Sequence, residues 1–101
     1  MVSLSIVVPA YNEEENIGYL HSEIKYVCEQ NNYTYEIIIV DDGSSDKTAE
    51  IVSNLYPVKL IRFRKNFGQT AAIDAGIKHA QYEYVVTMDG DCQNDPRDIP
   101  Q

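Results

Sequence analysis

A chain of 101 residues, 44% hydrophobic and 24% charged, is sized and composed for one compact domain with its own core, though it is short for an enzyme. Eight Lys and Arg against sixteen Asp and Glu leave a net charge of −8, which argues against a nucleic-acid partner because phosphate backbones are held chiefly by Lys and Arg. No apolar run reaches the roughly 20 residues of a membrane span, and Met1-Val2-Ser3-Leu4-Ser5 lacks the basic start and long apolar body of a secretion signal, so a cytoplasmic chain with two incidental or buried thiols, Cys28 and Cys92, is expected.

Four runs rich in β-branched residues, Leu4 to Pro9, Tyr35 to Val40, Val58 to Phe63 and Tyr84 to Met88, alternate with stretches of helical character, which reads as βαβαβαβ. The first helix is expected over about Glu13 to Gln30, with Ile17, Leu20, Ile24 and Val27 on one face, Asn12 as N-cap and a glutamate run in the first turn. The second is expected to be short, opening at Ser44-Ser45-Asp46 and closed by Pro57. The third, Gln69 to Ala80, carries Ala71, Ala72, Ala75 and Gly76; so many small residues predict close approach to the sheet and make it the helix expected to be most buried.

Parallel strands need right-handed crossovers, so helices cover both faces and every strand C-terminus lies on one edge, where ligands bind. The unusual turns all fall on that edge: Pro9-Ala10-Tyr11-Asn12-Glu13, Asp41-Asp42-Gly43-Ser44, Arg64-Lys65-Asn66-Phe67-Gly68 and Asp89-Gly90-Asp91. A strand order of 3-2-1-4 sets the first and fourth turns together, and the pocket is predicted there. Nothing resembling a closing helix follows Asp95-Pro96, and the sequence reads as cut rather than finished.

Asp89 and Asp91 flank a glycine that lets the backbone fold back. The two carboxylates, with Gln93 as a third oxygen, suit Mg²⁺ or Mn²⁺, and such an ion lets an acidic edge receive a phosphate. The plain alternative is an Asp-Gly turn. One of Asp41 and Asp42 is expected to cap the turn into the second helix, and the other to accept from a ribose hydroxyl or base edge. Tyr11 offers an aromatic wall for a base, or no more than a hydrophobic staple. Lys65 and Asn66 sit nearer the crevice than Arg62, which is read as a charge protecting an edge strand. There is no GxGxxG after the first strand and no P-loop. His21 and His79 have no partners for a catalytic triad and read as packed or surface imidazoles.

Ile6 to Glu14, Glu36 to Asp46, Asn66-Phe67-Gly68-Gln69 and Met88 to Gln93 resemble, in order and spacing, the N-terminal half of family 2 glycosyltransferases of GT-A fold. The Lys65 to Gln69 segment and the Asp-x-Asp-x-Gln pattern are most similar to the branch that includes dolichyl-phosphate mannose synthases and polyprenyl-phosphate glycosyltransferases. The resemblance implies that residues 1–101 are the nucleotide-sugar-binding half of a glycosyltransferase domain with a Rossmann-like parallel sheet. It further implies that Pro9, Ala10, Tyr11, Asn12, Glu13, Val40, Asp41, Asp42, Lys65, Asn66, Gln69 and Gly90 surround a UDP- or GDP-sugar, with Asp89 and Asp91 as catalytic residues and Asp89, Asp91 and Gln93 as metal ligands. Asp-Gly-Asp stands where many members have Asp-Ala-Asp. The implied reaction is an inverting transfer, with a lipid-phosphate acceptor at the cytoplasmic face of a membrane. A nucleotide-binding module without turnover and a phosphohydrolase with an Asp-x-Asp nucleophile are the competing readings. Self-association through an unpaired fourth strand is also expected.

Overall fold

The computed structural model describes residues 2–88. Strands β1 (Ser3–Ala10), β2 (Thr34–Asp41), β3 (Lys59–Arg62) and β4 (Tyr84–Thr87) alternate with helices α1 (Ile17–Gln30), α2 (Thr48–Ser53) and α3 (Gln69–His79). All pairings are parallel, as the alternation predicts, and the sheet runs β3-β2-β1-β4, the order expected.

The two central strands are apolar on both faces because both faces are covered. Leu4, Ile6 and Val8 of β1, with Ile37 and Ile39 of β2, pack against Ile17, Leu20, Ile24 and Cys28 of α1 and Val52 of α2. The opposite pleat, Val7, Ile38 and Val40, packs against Ala72 of α3. Burial pushes the Cys28 thiol up to about 11, with the nearby Glu29 carboxylate adding to the effect, so this cysteine is an inert core residue. His21 is buried with Nε2 2.9 Å from the Pro57 carbonyl, whereas His79 is exposed.

Three expectations are corrected. Helix α1 starts at Ile17 after a turn over Glu13 to Asn16, so the glutamate run precedes the helix, and Asn12 caps nothing. Its backbone is left-handed, with φ of 52°, and its side chain serves a different loop. Helix α2 begins at Thr48, where the carboxylate of Asp46 accepts from the Thr48 amide at 2.9 Å. Helix α3 is not the most buried: it buries Ala72 and Gly76, against six residues in α1. Its small residues do bring it close to the sheet, since a Cβ on Gly76 would run into the Val7 side chain.

Candidate active site

The C-terminal edge of the sheet is built from three loops bonded to one another. The ladders continue past the strand ends: Asp42 N–H donates to the Ala10 carbonyl at 2.8 Å and Phe63 N–H to the Asp41 carbonyl at 2.9 Å. Pro9, Ala10 and Val40 are buried in β1 and β2, so they shape the site chiefly through the backbone. Tyr11, Lys65, Asn66 and Gln69 are exposed at the edge.

Asn12 joins the first loop to the second. Its Oδ1 accepts from the amides of Ser45 (2.9 Å) and Asp46 (3.3 Å), while its own N–H donates to Ser44 Oγ at 2.9 Å. Glu13 N–H donates to Thr48 Oγ1 at 2.8 Å, and Glu14 N–H to Asp46 Oδ2 at 3.3 Å. Desolvation works to raise the Asp46 pKa, but bonds from the Thr48 hydroxyl and amide and from the Glu14 amide outweigh it and hold the carboxyl below its ordinary value. These residues tie the loop down and leave Tyr11 presented beside it.

Asp42 joins the second loop to the third. It is buried, and its Oδ1 and Oδ2 accept from the amides of Phe67 (2.7 Å) and Gly68 (3.0 Å). Gly43, at φ of 74°, lies so close to Lys65 and Asn66 that a side chain there would strike their backbone. Lys65 Nζ stands 5.2 Å over the Phe67 ring, and Phe67 meets Phe63 edge-on at 5.6 Å.

Asp41, at the end of β2, and Asp42, just beyond it, are therefore both engaged. Asp41 Oδ1 accepts from Ser44 N–H at 3.2 Å, which is the turn cap expected of one of the pair. Its Oδ2 is buried with no hydrogen-bond partner, and Arg62 Nε lies 3.8 Å away. Arg62 and Arg64 line a cleft of about 310 Å³ with Gly43, Ser44 and Phe63. From the sequence, Arg62, Arg64 and Lys65 are candidates to assist in holding a diphosphate, with edge protection the favoured reading for Arg62. The strand register sets Arg62 opposite Asp41.

Asp89, Gly90, Asp91 and Gln93 lie outside the described residues, as does Cys92. So does the fourth turn, and with it one wall of the pocket expected beside the first. Among the described residues no cluster of His, Cys, Asp or Glu is arranged to hold a metal ion, and no helix is long and apolar enough to cross a membrane.

The 3-2-1-4 parallel sheet is the Rossmann-like fold of GT-A glycosyltransferases, and the chain belongs to glycosyl transferase family 2, whose model matches residues 5–101. It is 41% identical over 105 residues to the dodecaprenyl-phosphate galacturonate synthase of Rhizobium johnstonii, covering 98% of this chain and 31% of that protein. Among solved structures it resembles the mannosyltransferase PcManGT from Pyrobaculum calidifontis in complex with GDP-Man and Mn²⁺, with a TM-score of 0.77 at 27% identity over 94% of this chain and 29% of that one. S. aureus TarS 1–349 in complex with UDP-GlcNAc matches with a TM-score of 0.72 at 31% identity, over 89% of this chain and 27% of that one. The chain thus spans about three tenths of the length of its curated relative.

Proposed function

We propose that residues 1–101 form the donor-binding half of a glycosyltransferase that moves a sugar from a UDP- or GDP-sugar to a polyprenyl phosphate. The observation that carries this reading is the bonded edge itself: Asn12 and Asp42 hold three loops in one unit beside an exposed Tyr11, as a rigid nucleoside platform requires. The polyprenyl-phosphate name of the galacturonate synthase and the nucleotide sugars bound to PcManGT and TarS support the choice of acceptor and donor.

In this reading Tyr11 stacks on the base, Glu13 lies beside the nucleoside, and the backbone at Pro9, Ala10 and Val40 shapes the floor. Asn12, Asp41 and Asp42 hold the platform in shape. Lys65, Asn66 and Gln69 border the crevice, with Lys65 supplying positive charge toward the phosphates. Asp89, Asp91 and Gln93 would hold Mg²⁺ or Mn²⁺, with Gly90 giving the turn its freedom. When held there, the ion would supply Lewis-acid stabilisation of negative charge on the departing nucleoside diphosphate. An acceptor phosphate is already ionised and attacks the anomeric carbon without a general base, which fits an inverting displacement at the cytoplasmic face of a membrane.

A thermal-shift comparison of UDP, GDP and their sugars, with and without Mn²⁺, tests the reading. Stabilisation by a nucleotide is expected when Mn²⁺ is present, and it should vanish in Asp91→Asn while the unliganded Tm stays the same. If no nucleotide shifts the Tm under either condition, the proposal fails; unchanged nucleotide affinity in the variant removes Asp91 from the site.

A further inference from the structure

Positive charge on this acidic chain is concentrated in one place. Residues 58–73 carry four of its eight cationic side chains, Lys59, Arg62, Arg64 and Lys65, and no Asp or Glu. The last three fall at the end of β3 and in the loop that follows it, and all three are exposed. The two carboxylates that reach this loop do not offset it at the surface. Asp41 is buried with Arg62 Nε 3.8 Å away, and Asp42 is buried with both oxygens taken by the amides of Phe67 and Gly68. Beside the cations Phe67 is 57% exposed, an unfavourable position in water for a large aromatic ring. Lys65 Nζ over that ring and Phe63 edge-on to it hold it at the surface.

Cations beside an exposed aromatic ring suit the interface between lipid and water. The proposed acceptor says which part of the molecule needs such a segment: a polyprenyl phosphate stays in the bilayer, so the edge that binds the donor has to approach the headgroups. The described loops of that edge differ in charge. Glu13, Glu14, Glu15 and Asp46 line one cleft on the first two, which anionic headgroups repel, whereas the third is cationic. We infer that the loop from Arg64 to Phe67 docks this domain on an anionic lipid surface, with Phe67 entering the headgroup layer and Arg64 held at the lipid phosphates. Resting on the proposed function, this assignment adds to it the face that meets the membrane. The net charge of −8 opposes such docking only weakly. The described residues span 22 Å even in their thinnest direction, and at physiological salt a charge more than about 8 Å from the lipid is largely screened.

Flotation of the chain with vesicles of phosphatidylcholine alone, and of phosphatidylcholine mixed equally with phosphatidylglycerol, tests the assignment without nucleotide or turnover. Self-associated protein does not float unaided. Binding to the mixed vesicles is expected to be about tenfold tighter than to the neutral ones and to weaken as salt is raised. Arg64→Gln is expected to bind about fivefold more weakly, the effect of one cation near such a surface. Lys25→Gln on α1, with the same change in net charge, is expected to stay within about twofold of the wild type. Phe67→Ala is expected to lose about tenfold and Phe67→Trp to bind as the wild type does; neither removes the amide that Asp42 accepts from. No flotation, equal flotation with both kinds of vesicle, wild-type binding by Phe67→Ala, or equal losses in Arg64→Gln and Lys25→Gln overturns the assignment while leaving nucleotide binding intact. A wild type whose Tm no nucleotide shifts instead defeats the proposed function, a result read independently of flotation.

Discussion

Glu36 shows how much a single carboxylate organises at the end of the sheet away from the site. It accepts from Ser5 Oγ at 2.6 Å and from the Gln81 amide at 2.8 Å, and Lys59 Nζ lies 3.5 Å away. One side chain therefore ties β1, β2, β3 and the segment after α3 together. Desolvation works to raise its pKa, but the Gln81 amide, the Ser5 hydroxyl and the Lys59 ammonium outweigh it and hold the value below the ordinary 4.5. A folded-state pKa below the unfolded one means that this stabilisation is present above pH 4.5 and is lost as pH falls through the folded value. Glu36→Gln is accordingly expected to be less stable than the wild type at pH 7 in urea denaturation, with the difference shrinking on the acid side; a difference that stays constant with pH assigns the effect to packing. At the other end of the sheet, Asp41 and Asp42 stand out in the sequence as a pair, but their division of labour does not. Asp42 turns to a loop 25 and 26 residues further along, and no local pattern announces a partner so distant.

Helices were legible where the core dictated them and misread where the site did. The spacing of Ile17, Leu20, Ile24 and Val27 gave α1 its buried face, because a helix on a sheet must present apolar residues every three to four positions. Its start was misplaced because Asn12, a good cap by type, is spent on the Ser44 to Asp46 loop instead. The small residues of α3 were read correctly as close packing and wrongly as deep burial, since proximity at Gly76 leaves the outer face of the helix in water. Two glycines make the distinction measurable. Gly76→Ala gains about 1 kcal/mol of helix propensity but overpacks against Val7, which is fully buried, at a typical cost of about 1–3 kcal/mol. Net destabilisation is expected in chemical denaturation. Gly18→Ala, with no atom within 4 Å of the new methyl group, is expected to stabilise by up to about 1 kcal/mol. Equal effects at the two sites would show that Val7 gives way.

Across the whole molecule, the two sheet edges differ. The β3 edge carries Lys59 and Arg62, each near a carboxylate of β2, a charged margin that discourages further pairing. The β4 edge, Tyr84 to Thr87, has no charge and exposes Tyr84 and Val85. We propose that isolated copies of this chain associate through β4. Light scattering is expected to show mass rising with concentration, and Val85→Lys should suppress the rise. A strictly monomeric chain at high concentration counts against the idea.

From the sequence alone came the alternation of strands and helices and the edge on which the chemistry gathers. These follow from local periodicity and from the handedness of parallel crossovers, which neighbouring residues suffice to specify. Tertiary structure alone decided that Asn12 and Asp42 bond three loops into one platform, and that Arg62 lies against a buried Asp41 beside a cleft. Those contacts join residues 20 to 35 positions apart. They depend on strand register, which brings such residues together only once the whole sheet has formed.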